Sequence, residues 1–427
     1  MRKTKEKKMS ILIKNVRIID PEAETVKAGS IFIRDGVFAD PSEADDSAEI
    51  IDGEGLSAAP GLVDLHVHLR DPGQTDKEDI LTGCKAAAAG GVTSLLAMPN
   101  TIPTVDSPET VRYILDKAKS ADAHVYVVGA ITKGLKSEKP TDIDELYQAG
   151  ISALSDDGRP VENTVMMVEA MKKAAKLHIP VTAHCEDPYL AGGKVNEGRI
   201  SEQLGVKGMP RAAEDAGTAR EIALAAAYDV PIHICHVSTY TSADMIRDAK
   251  KRGIRVTAET APHYLMLTED ELLKRDADYR MNPPLRTERD RKAMIEALLD
   301  GTIDAVATDH APHTPKEKAD FDSAPNGSIG METSFAASYT VLVKSGLMTE
   351  TELIRKMSFT PAKILNINAG TLSAGAPADL MLYKEEDWIV DPEKLHGKSK
   401  NTPFKGLTLS AKVRLTICGG KIVYNEI

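Results

Sequence analysis

The chain has 427 residues, of which 42% are hydrophobic and 27% charged, and its formal net charge is −11 at pH 7. This composition is typical of a globular protein, excludes a disordered or fibrous chain, and allows one large barrel or two to three smaller domains. The negative charge argues against nucleic acid or an anionic membrane as a partner, because both bind positive surfaces. The apolar stretch at residues 86–98 is too short to cross a bilayer.

The first sixty residues combine a basic extension with β-type segments. Residues 1–8 hold five basic side chains and are predicted to be a solvated N-terminal extension, since charge runs are usually solvated. Two β-rich runs follow at 11–19 and 30–38, and the acidic stretch 40–54 is predicted to be a loop. These short runs indicate a small β unit before the main fold begins.

From residue 61 onward, apolar or β-branched segments alternate with Ala-, Glu- and Lys-rich helical patterns, which indicates repeated βα units. Eight strands are predicted, at residues 62–68, 93–98, 124–130, 151–155, 180–184, 231–236, 254–259 and 303–308. Eight parallel strands over about 300 residues favour an α/β fold of the (β/α)8 type, a TIM-like barrel, over an open doubly wound sheet.

The β pattern returns towards the end of the chain, in runs at 380–383 and 413–423. We expect the two chain ends, residues 9–60 and 370–427, to pair into one composite small β-sandwich domain. The barrel would then occupy residues 61–369.

Four cysteines, Cys84, Cys185, Cys235 and Cys418, are scattered along the chain without C-x-x-C spacing. This spacing predicts neither a zinc knuckle nor a disulfide framework. Free thiols in a reducing, cytoplasmic compartment fit the pattern best.

Histidine and aspartate residues recur at one end of the predicted barrel strands. His66 and His68 are two apart on the first strand, so both rings point to the same side of it. Five further residues lie at the ends of later strands, namely Asp156, Asp157, His184, His236 and Asp309. Because barrel active sites are built at the carboxyl ends of strands, we expect these side chains to meet at one rim.

Imidazole and carboxylate ligands suit zinc and similar divalent ions, although ligand type does not separate zinc from cobalt or manganese. Four histidines and two carboxylates exceed the needs of one tetrahedral ion, so two metal ions bridged by a carboxylate are expected. Asp309 would then serve as the general base that accepts a proton from the attacking water and returns it to the departing nitrogen. Spacing alone does not decide between Asp156 and Asp157 as the bridge.

Five motifs give the chain a resemblance to a known family. They are P-G-L-V-D-L-H-V-H-L-R-D-P-G at 60–73, A-M-P-N-T at 97–101, S-D-D-G at 155–158, M-N-P-P-L-R at 281–286 and A-T-D-H-A-P-H at 307–313. Together they resemble the amidohydrolase superfamily and, within it, the bacterial type I dihydroorotases, over nearly the whole chain. The resemblance implies reversible closure of N-carbamoyl-L-aspartate to L-dihydroorotate, a step of pyrimidine biosynthesis.

The resemblance also implies a set of metal ligands. They are His66 and His68 for one zinc ion, His184 and His236 for the other, Asp157 as the bridge, and Asp309 as the metal-bound base. Many relatives, including hydantoinases, bridge their metals with a carboxylated lysine. No lysine stands near the end of the fourth strand, which favours a dihydroorotase over a hydantoinase.

Seven residues match or are placed at substrate contacts: His68, Arg70, Asn100, Asn282, His313, Asn326 and Gly327. The planar guanidinium of Arg70 suits a substrate carboxylate. The amides of Asn100 and Asn282 can both donate and accept, which fits the edges of a dihydropyrimidine ring. Asn326 departs from the aromatic residue of close relatives. The segment 310–327 is long for a βα loop and is predicted to act as a lid.

Two alternatives stay open at this point. One is another cyclic amidohydrolase, such as an allantoinase or hydantoinase, acting on a small molecule. The other is a non-catalytic homologue that serves aspartate transcarbamoylase as a structural partner, and the complete ligand set with Arg70 counts against it. The family resemblance further implies a homodimer and leaves an association of the active enzyme with aspartate transcarbamoylase open.

Overall fold

The computed structural model describes residues 10–427, so the predicted basic extension at residues 1–8 lies outside the described part. The strands are β1 Ser10–Asp20, β2 Thr25–Arg34, β3 Val37–Ala39, β4 Glu49–Asp52, β5 Ser57–Pro60, β6 Leu62–Val67, β7 Val92–Ala97, β8 His124–Gly129, β9 Ile151–Leu154, β10 Thr182–Ala183, β11 Val195–Asn196, β12 Gly208–Met209, β13 Ile232–Ile234, β14 Val256–Thr260, β15 Ala305–Val306, β16 Leu380–Ile389, β17 Thr408–Cys418 and β18 Lys421–Asn425.

The α-helices are α1 Ile80–Ala89, α2 Pro108–Ala118, α3 Ile143–Ala149, α4 Thr164–Leu177, α5 Arg199–Leu204, α6 Ala212–Tyr228, α7 Tyr240–Lys251, α8 Pro262–Met266, α9 Glu288–Leu299, α10 Pro315–Lys318, α11 Ser334–Ser338, α12 Glu350–Ile354 and α13 Thr360–Leu365. Local sequence sets several helix starts. Asp79 and Thr287 each form a capping box at α1 and α9, in which the side chain bonds the backbone N–H groups left free at a helix start.

Eight parallel strands close into the predicted barrel. β6, β7, β8 and β9 form one four-stranded sheet, and β10, β13, β14 and β15 form another. Single parallel bridges join the two sheets, one between Leu154 and Val181 and one between Val67 and His310. All eight predicted strands are therefore confirmed, although β10, β13 and β15 keep only two or three ladder residues.

The burial of the barrel strands accounts for their continuous apolar sequence. Every residue of β6 and β7 is buried, because side chains fill the inside of the barrel while helices cover its outside. A strand buried on both faces is a continuous apolar run rather than an alternating one. The polar residues of these strands therefore need partners inside the fold.

Both chain ends build a second layer, as expected for a β-sandwich. Its hydrogen-bonded order is β18-β17-β16-β5-β1-β2-β3, with β4 beside β1. Alternate residues of β1 and β16, among them Ile11, Ile13, Leu380 and Leu382, point into one shared apolar core. The division of the chain near residues 60 and 370 stays a prediction.

Two details of the first sixty residues differ from the sequence prediction. The run 30–38 contains a reversal at Asp35-Gly36 and forms parts of two antiparallel strands, β2 and β3. The acidic stretch 40–54 was expected to be a loop, but its residues 49–52 form β4, which pairs in parallel with β1. Exposed acidic residues are tolerated there because β4 lies at the surface.

No α-helix among residues 10–427 combines the length and the apolar character needed to span a membrane. All four cysteines are free and buried.

Candidate metal centre and active site

The predicted site residues come together where the barrel strands end. His66 lies in β6 and His68 just beyond it, whereas Asp157, His184, His236 and Asp309 follow β9, β10, β13 and β15. The backbone is in the left-handed region at His236 (φ 35°) and Asp309 (φ 48°). Non-glycine residues adopt this conformation at a cost, and such strain is concentrated at functional sites.

Asp157 lies at the centre of four imidazoles. Its Oδ1 atom is 3.3 Å from Nε2 of His66, 3.7 Å from Nδ1 of His184 and 3.8 Å from Nε2 of His236. Its Oδ2 atom is 3.5 Å from Nε2 of His68. The side chains thus form two potential ligand groups, one with His66 and His68 and one with His184 and His236, and Asp157 belongs to both.

The geometry separates Asp157 from its neighbour Asp156. The Asp156 carboxylate accepts hydrogen bonds from the backbone N–H groups of Ile131 and Thr132, at 2.7 and 3.0 Å, and from the Thr132 hydroxyl. Its oxygens are therefore occupied in fixing the loop after β8. Asp157 is the carboxylate that faces the histidines.

Several atoms of this cluster are buried without a partner in the described structure. Both ring nitrogens of His66, Oδ1 of Asp157 and Nε2 of His184 lack a hydrogen bond. Buried polar atoms of this kind are costly unless something satisfies them. Nitrogen and carboxylate donors in this arrangement fit divalent metal ions such as zinc.

Asp309 lies beside the first ligand group. Its Oδ1 atom is 3.3 Å from Nε2 of His68 and 3.7 Å from Nε2 of His66. Burial opposes the charged form of Asp309, but the hydrogen bond with His68 and the field of His66 and His236 outweigh it and hold its pKa below the ordinary value. The carboxylate is therefore ionised and able to accept a proton.

A cavity of about 260 Å³ opens above this cluster, and all seven predicted substrate residues line it. His68 Nδ1 is 2.8 Å from Oδ1 of Asn100, so the ring and the amide are fixed relative to each other. Arg70 donates from Nε to the carbonyl of Pro312 at 3.2 Å, which leaves part of its guanidinium for a ligand. Burial lowers the pKa of Arg70 to about 10, so it stays charged at neutral pH.

Residues 310–327, the cavity loop, form one wall of this space. His313 Nε2 is 2.9 Å from the carbonyl of Asn326, and the N–H of Gly327 donates to the carbonyl of Arg280 at 2.9 Å. The Asn326 side chain accepts a hydrogen bond from Arg280 at 3.1 Å, so His313 and Arg280 contact different parts of the same residue. That this loop acts as a lid stays a prediction.

The sequence was compared with known proteins. The model of the amidohydrolase family matches residues 57–423. This chain belongs to the amidohydrolase family. It is 48% identical over 425 residues to the dihydroorotase of Geobacter metallireducens, with 98% of this chain and 100% of that protein covered. It is 44% identical over 421 residues to the dihydroorotase of Clostridioides difficile, with 97% and 100% covered.

Solved structures give the same fold. The L-hydantoinase (dihydropyrimidinase) of Arthrobacter aurescens superposes with a TM-score of 0.87 at 24% identity, covering 97% of this chain and 96% of that one. The dihydropyrimidinase of Brevibacillus agri gives 0.86 at 24% identity, covering 98% and 95%. At this identity the likeness establishes the fold, a TIM barrel with a β-sandwich. Amidohydrolases are metal-dependent, in agreement with the two ligand groups.

Glu259 and His233, two buried residues of this amidohydrolase, were not predicted from the sequence, and they lie behind the ring of His66. Oε1 of Glu259 is 3.4 Å from Nδ1 of His66, and Oε2 is 3.2 Å from Nε2 of His233. Burial opposes ionisation of Glu259, but the close imidazoles of His233 and His66 lower its pKa to about 2. A carboxylate behind a ligand ring fixes its orientation and tautomer. The available signal was that Glu259 ends the seventh predicted strand, which had no assigned role.

Glu186 was missed in the same way. Its Oε2 atom lies 3.8 Å from Nε2 of His184 and accepts a hydrogen bond of 3.0 Å from the amide of Asn282. Burial opposes the charge on Glu186, but the nearby imidazole of His184 lowers its pKa overall. Glu186 thus connects a ligand ring to a residue of the cavity wall.

Proposed function

We propose that this amidohydrolase is a dihydroorotase, which reversibly converts N-carbamoyl-L-aspartate to L-dihydroorotate in pyrimidine biosynthesis. One observation carries the proposal. A single cavity places Arg70 and the amides of Asn100 and Asn282 beside Asp309 and the histidine cluster. A cation and two amides suit a carboxylated dihydropyrimidine ring. Relatives named dihydroorotase, 44% to 48% identical over nearly their full length, support it.

Two zinc ions are the proposed cofactors. His66 and His68 would hold one ion and His184 and His236 the other, with Asp157 shared by both. These ions would satisfy Nε2 of His66 and Oδ1 of Asp157, two of the unpartnered atoms of the cluster. Bound zinc lowers the pKa of a coordinated water and polarises an amide carbonyl. Asp309 would complete the ligand set.

The protein's own residues supply binding and proton transfer. Arg70 binds the substrate carboxylate, and Asn100 and Asn282 orient the ring by hydrogen bonds. In the ring-opening direction, the Asp309 carboxylate accepts the proton of the attacking water and donates it to the ring nitrogen as the C–N bond breaks. In ring closure Asp309 takes the proton from the carbamoyl nitrogen as the C–N bond forms and donates it to the departing hydroxyl, which leaves as water. His313 and Gly327 complete the wall of the cavity.

The assembly and location of the enzyme belong to the same proposal. We infer a homodimer in the cytoplasm, where free buried thiols such as the four cysteines of this chain persist. An association with aspartate transcarbamoylase is a further expectation, and size-exclusion chromatography of the two proteins mixed together tests it.

The deciding experiment measures the ring opening of L-dihydroorotate by the purified protein, beside hydantoin, dihydrouracil and allantoin, with metal counted in the same sample. We expect turnover of dihydroorotate alone, with about two zinc ions per chain. Turnover of hydantoin or allantoin in preference to dihydroorotate would assign the chain to another cyclic amidohydrolase. Bound zinc without any turnover would point to the non-catalytic alternative.

A further inference from the structure

The connection between β16 and β17, residues 390–407, extends from the chain-end sheet to the mouth of the barrel. Hairpin connections usually have two to five residues, and much longer ones are usually functional. Lys398 of this connection donates to the carbonyl of Thr75 at 2.7 Å, and Lys405 lies 2.6 Å from Asp278. The connection is thus attached to two barrel segments, one after β6 and one after α8.

Asn401 is the residue of this connection that reaches the cavity loop. Its side chain is buried, and Oδ1 accepts the backbone N–H of His313 at 3.2 Å. Nδ2 donates to the carbonyls of Ala311 and Gly327, at 3.3 and 3.1 Å. The Asn401 carbonyl also accepts the N–H of Ile329 at 3.1 Å. One amide therefore ties the two ends of the cavity loop together.

A second anchor fixes the middle of the same loop. The ammonium of Lys318 is buried and donates to the carbonyls of Ala277 at 2.8 Å and Pro325 at 3.0 Å. Lys318 holds the loop to the barrel, whereas Asn401 holds the segments that carry His313 and Gly327. His313 and Gly327 line the cavity, and Asn401 contacts them from outside it.

We propose that Asn401 is a positioning residue for substrate binding, which acts by fixing His313 and Gly327 at the cavity wall. The inference rests on the proposed function. Loss of the amide would leave one buried N–H and two buried carbonyls without their partner, so the loop would have to move to find water. Small displacements of substrate-binding groups weaken binding strongly. The chain-end sheet would thereby take part in substrate recognition.

The test compares Asn401→Ala and Asn401→Asp with Lys394→Ala, a control on the same connection whose side chain is 83% exposed. Aspartate keeps the size and the acceptor but turns a carboxylate oxygen towards two carbonyls. We expect both Asn401 variants to raise KM for dihydroorotate about tenfold or more, with a smaller change in kcat. Zinc content should stay as in the wild type, because Asn401 contacts none of the proposed metal ligands.

Hydrogen–deuterium exchange of the zinc-loaded proteins gives a readout besides activity. Exchange in residues 311–329 should be faster in both Asn401 variants and unchanged in Lys394→Ala. Wild-type exchange and wild-type KM in the Asn401 variants would overturn the positioning role. If Asn401→Ala does not fold, Asn401→Asp decides. If the wild type opened no dihydroorotate, the proposed function would fail, while the exchange comparison would still decide whether Asn401 fixes the loop.

Discussion

At the scale of single residues, the chemistry of each carboxylate follows from its neighbours. Asp156 and Asp157 are adjacent in the chain, yet one is occupied by the backbone of Thr132 and the other faces four imidazoles. Sequence spacing predicts a carboxylate there but not which one, because the difference arises from contacts with the loops after β8 and β13. Only the family resemblance pointed to Asp157. Glu259 escaped prediction for a related reason, since a glutamate at a strand end gives no sign of burial.

Asp309→Asn tests the proton-transfer role. The amide keeps the shape of the side chain but does not accept the proton, so we expect kcat for dihydroorotate to fall about 10²- to 10⁴-fold. The rate is measured at saturating substrate together with the zinc content. A variant that retains its zinc and still turns over at the wild-type rate would exclude Asp309 as the base.

Glu259→Gln tests the support of His66. The neutral amide is a poorer acceptor for the ring N–H, so zinc affinity should fall about 10- to 100-fold. Competition with a chelator of known affinity measures it. Glu221→Gln is the matched control, because Glu221 is also a buried glutamate but pairs with Arg220 on α6. Equal zinc affinities of the two variants would contradict the role of Glu259.

At the scale of elements, most of the fold could be predicted because the barrel strands are short apolar runs separated by helices. β4 could not be predicted, because it pairs with β1 at the surface and its exposed residues show no alternation of buried and exposed positions. The contact between Asn401 and the cavity loop was equally hidden, because residues 88 apart in the chain meet only after both layers have folded. The site histidines were predictable because strand ends share one rim.

Gly90→Ala tests the packing between α1 and the segment before α11. A methyl group at Gly90 would lie 2.1 Å from the carbonyl oxygen of Met331, and the backbone there would have to shift. We expect a loss of about 1–3 kcal/mol in the free energy of unfolding, measured in urea. In the control Gly29→Ala the nearest atom is the end of the flexible Ile18 side chain at 3.2 Å, so a much smaller change is expected.

At the scale of the whole molecule, the barrel and the chain-end sheet are joined by an ion pair on the side opposite the cavity. His124, the first residue of β8, lies 3.2 Å from Asp379, which also accepts the N–H of Gly419 at 2.7 Å. The hydrogen bond with Asp379, and then that with Cys418, raises the pKa of His124 to about 10. The protonated ring therefore stabilises the junction between the layers.

The sign of the pH dependence follows from this raised pKa. Because the unfolded histidine titrates near 6.5, the contribution is complete below that pH and is lost as the pH rises towards 10. We expect His124→Gln to be less stable than the wild type at pH 6, with the difference shrinking by pH 10, in urea unfolding of both proteins. A difference that stays constant from pH 6 to 10 would show that the pair adds nothing through its charge.

The proposed metal ions would cross-link the two ends of the ring of strands as well as serve catalysis. His66 lies in the first barrel strand and His68 just beyond it, whereas Asp309 follows the last strand. One bridge, between Val67 and His310, joins these two ends of the ring. Metal ions held by residues at both ends would strengthen the contact between β6 and β15, where the ring of strands closes. Removal of the metal is therefore expected to make the folded barrel easier to open and easier to digest with a protease.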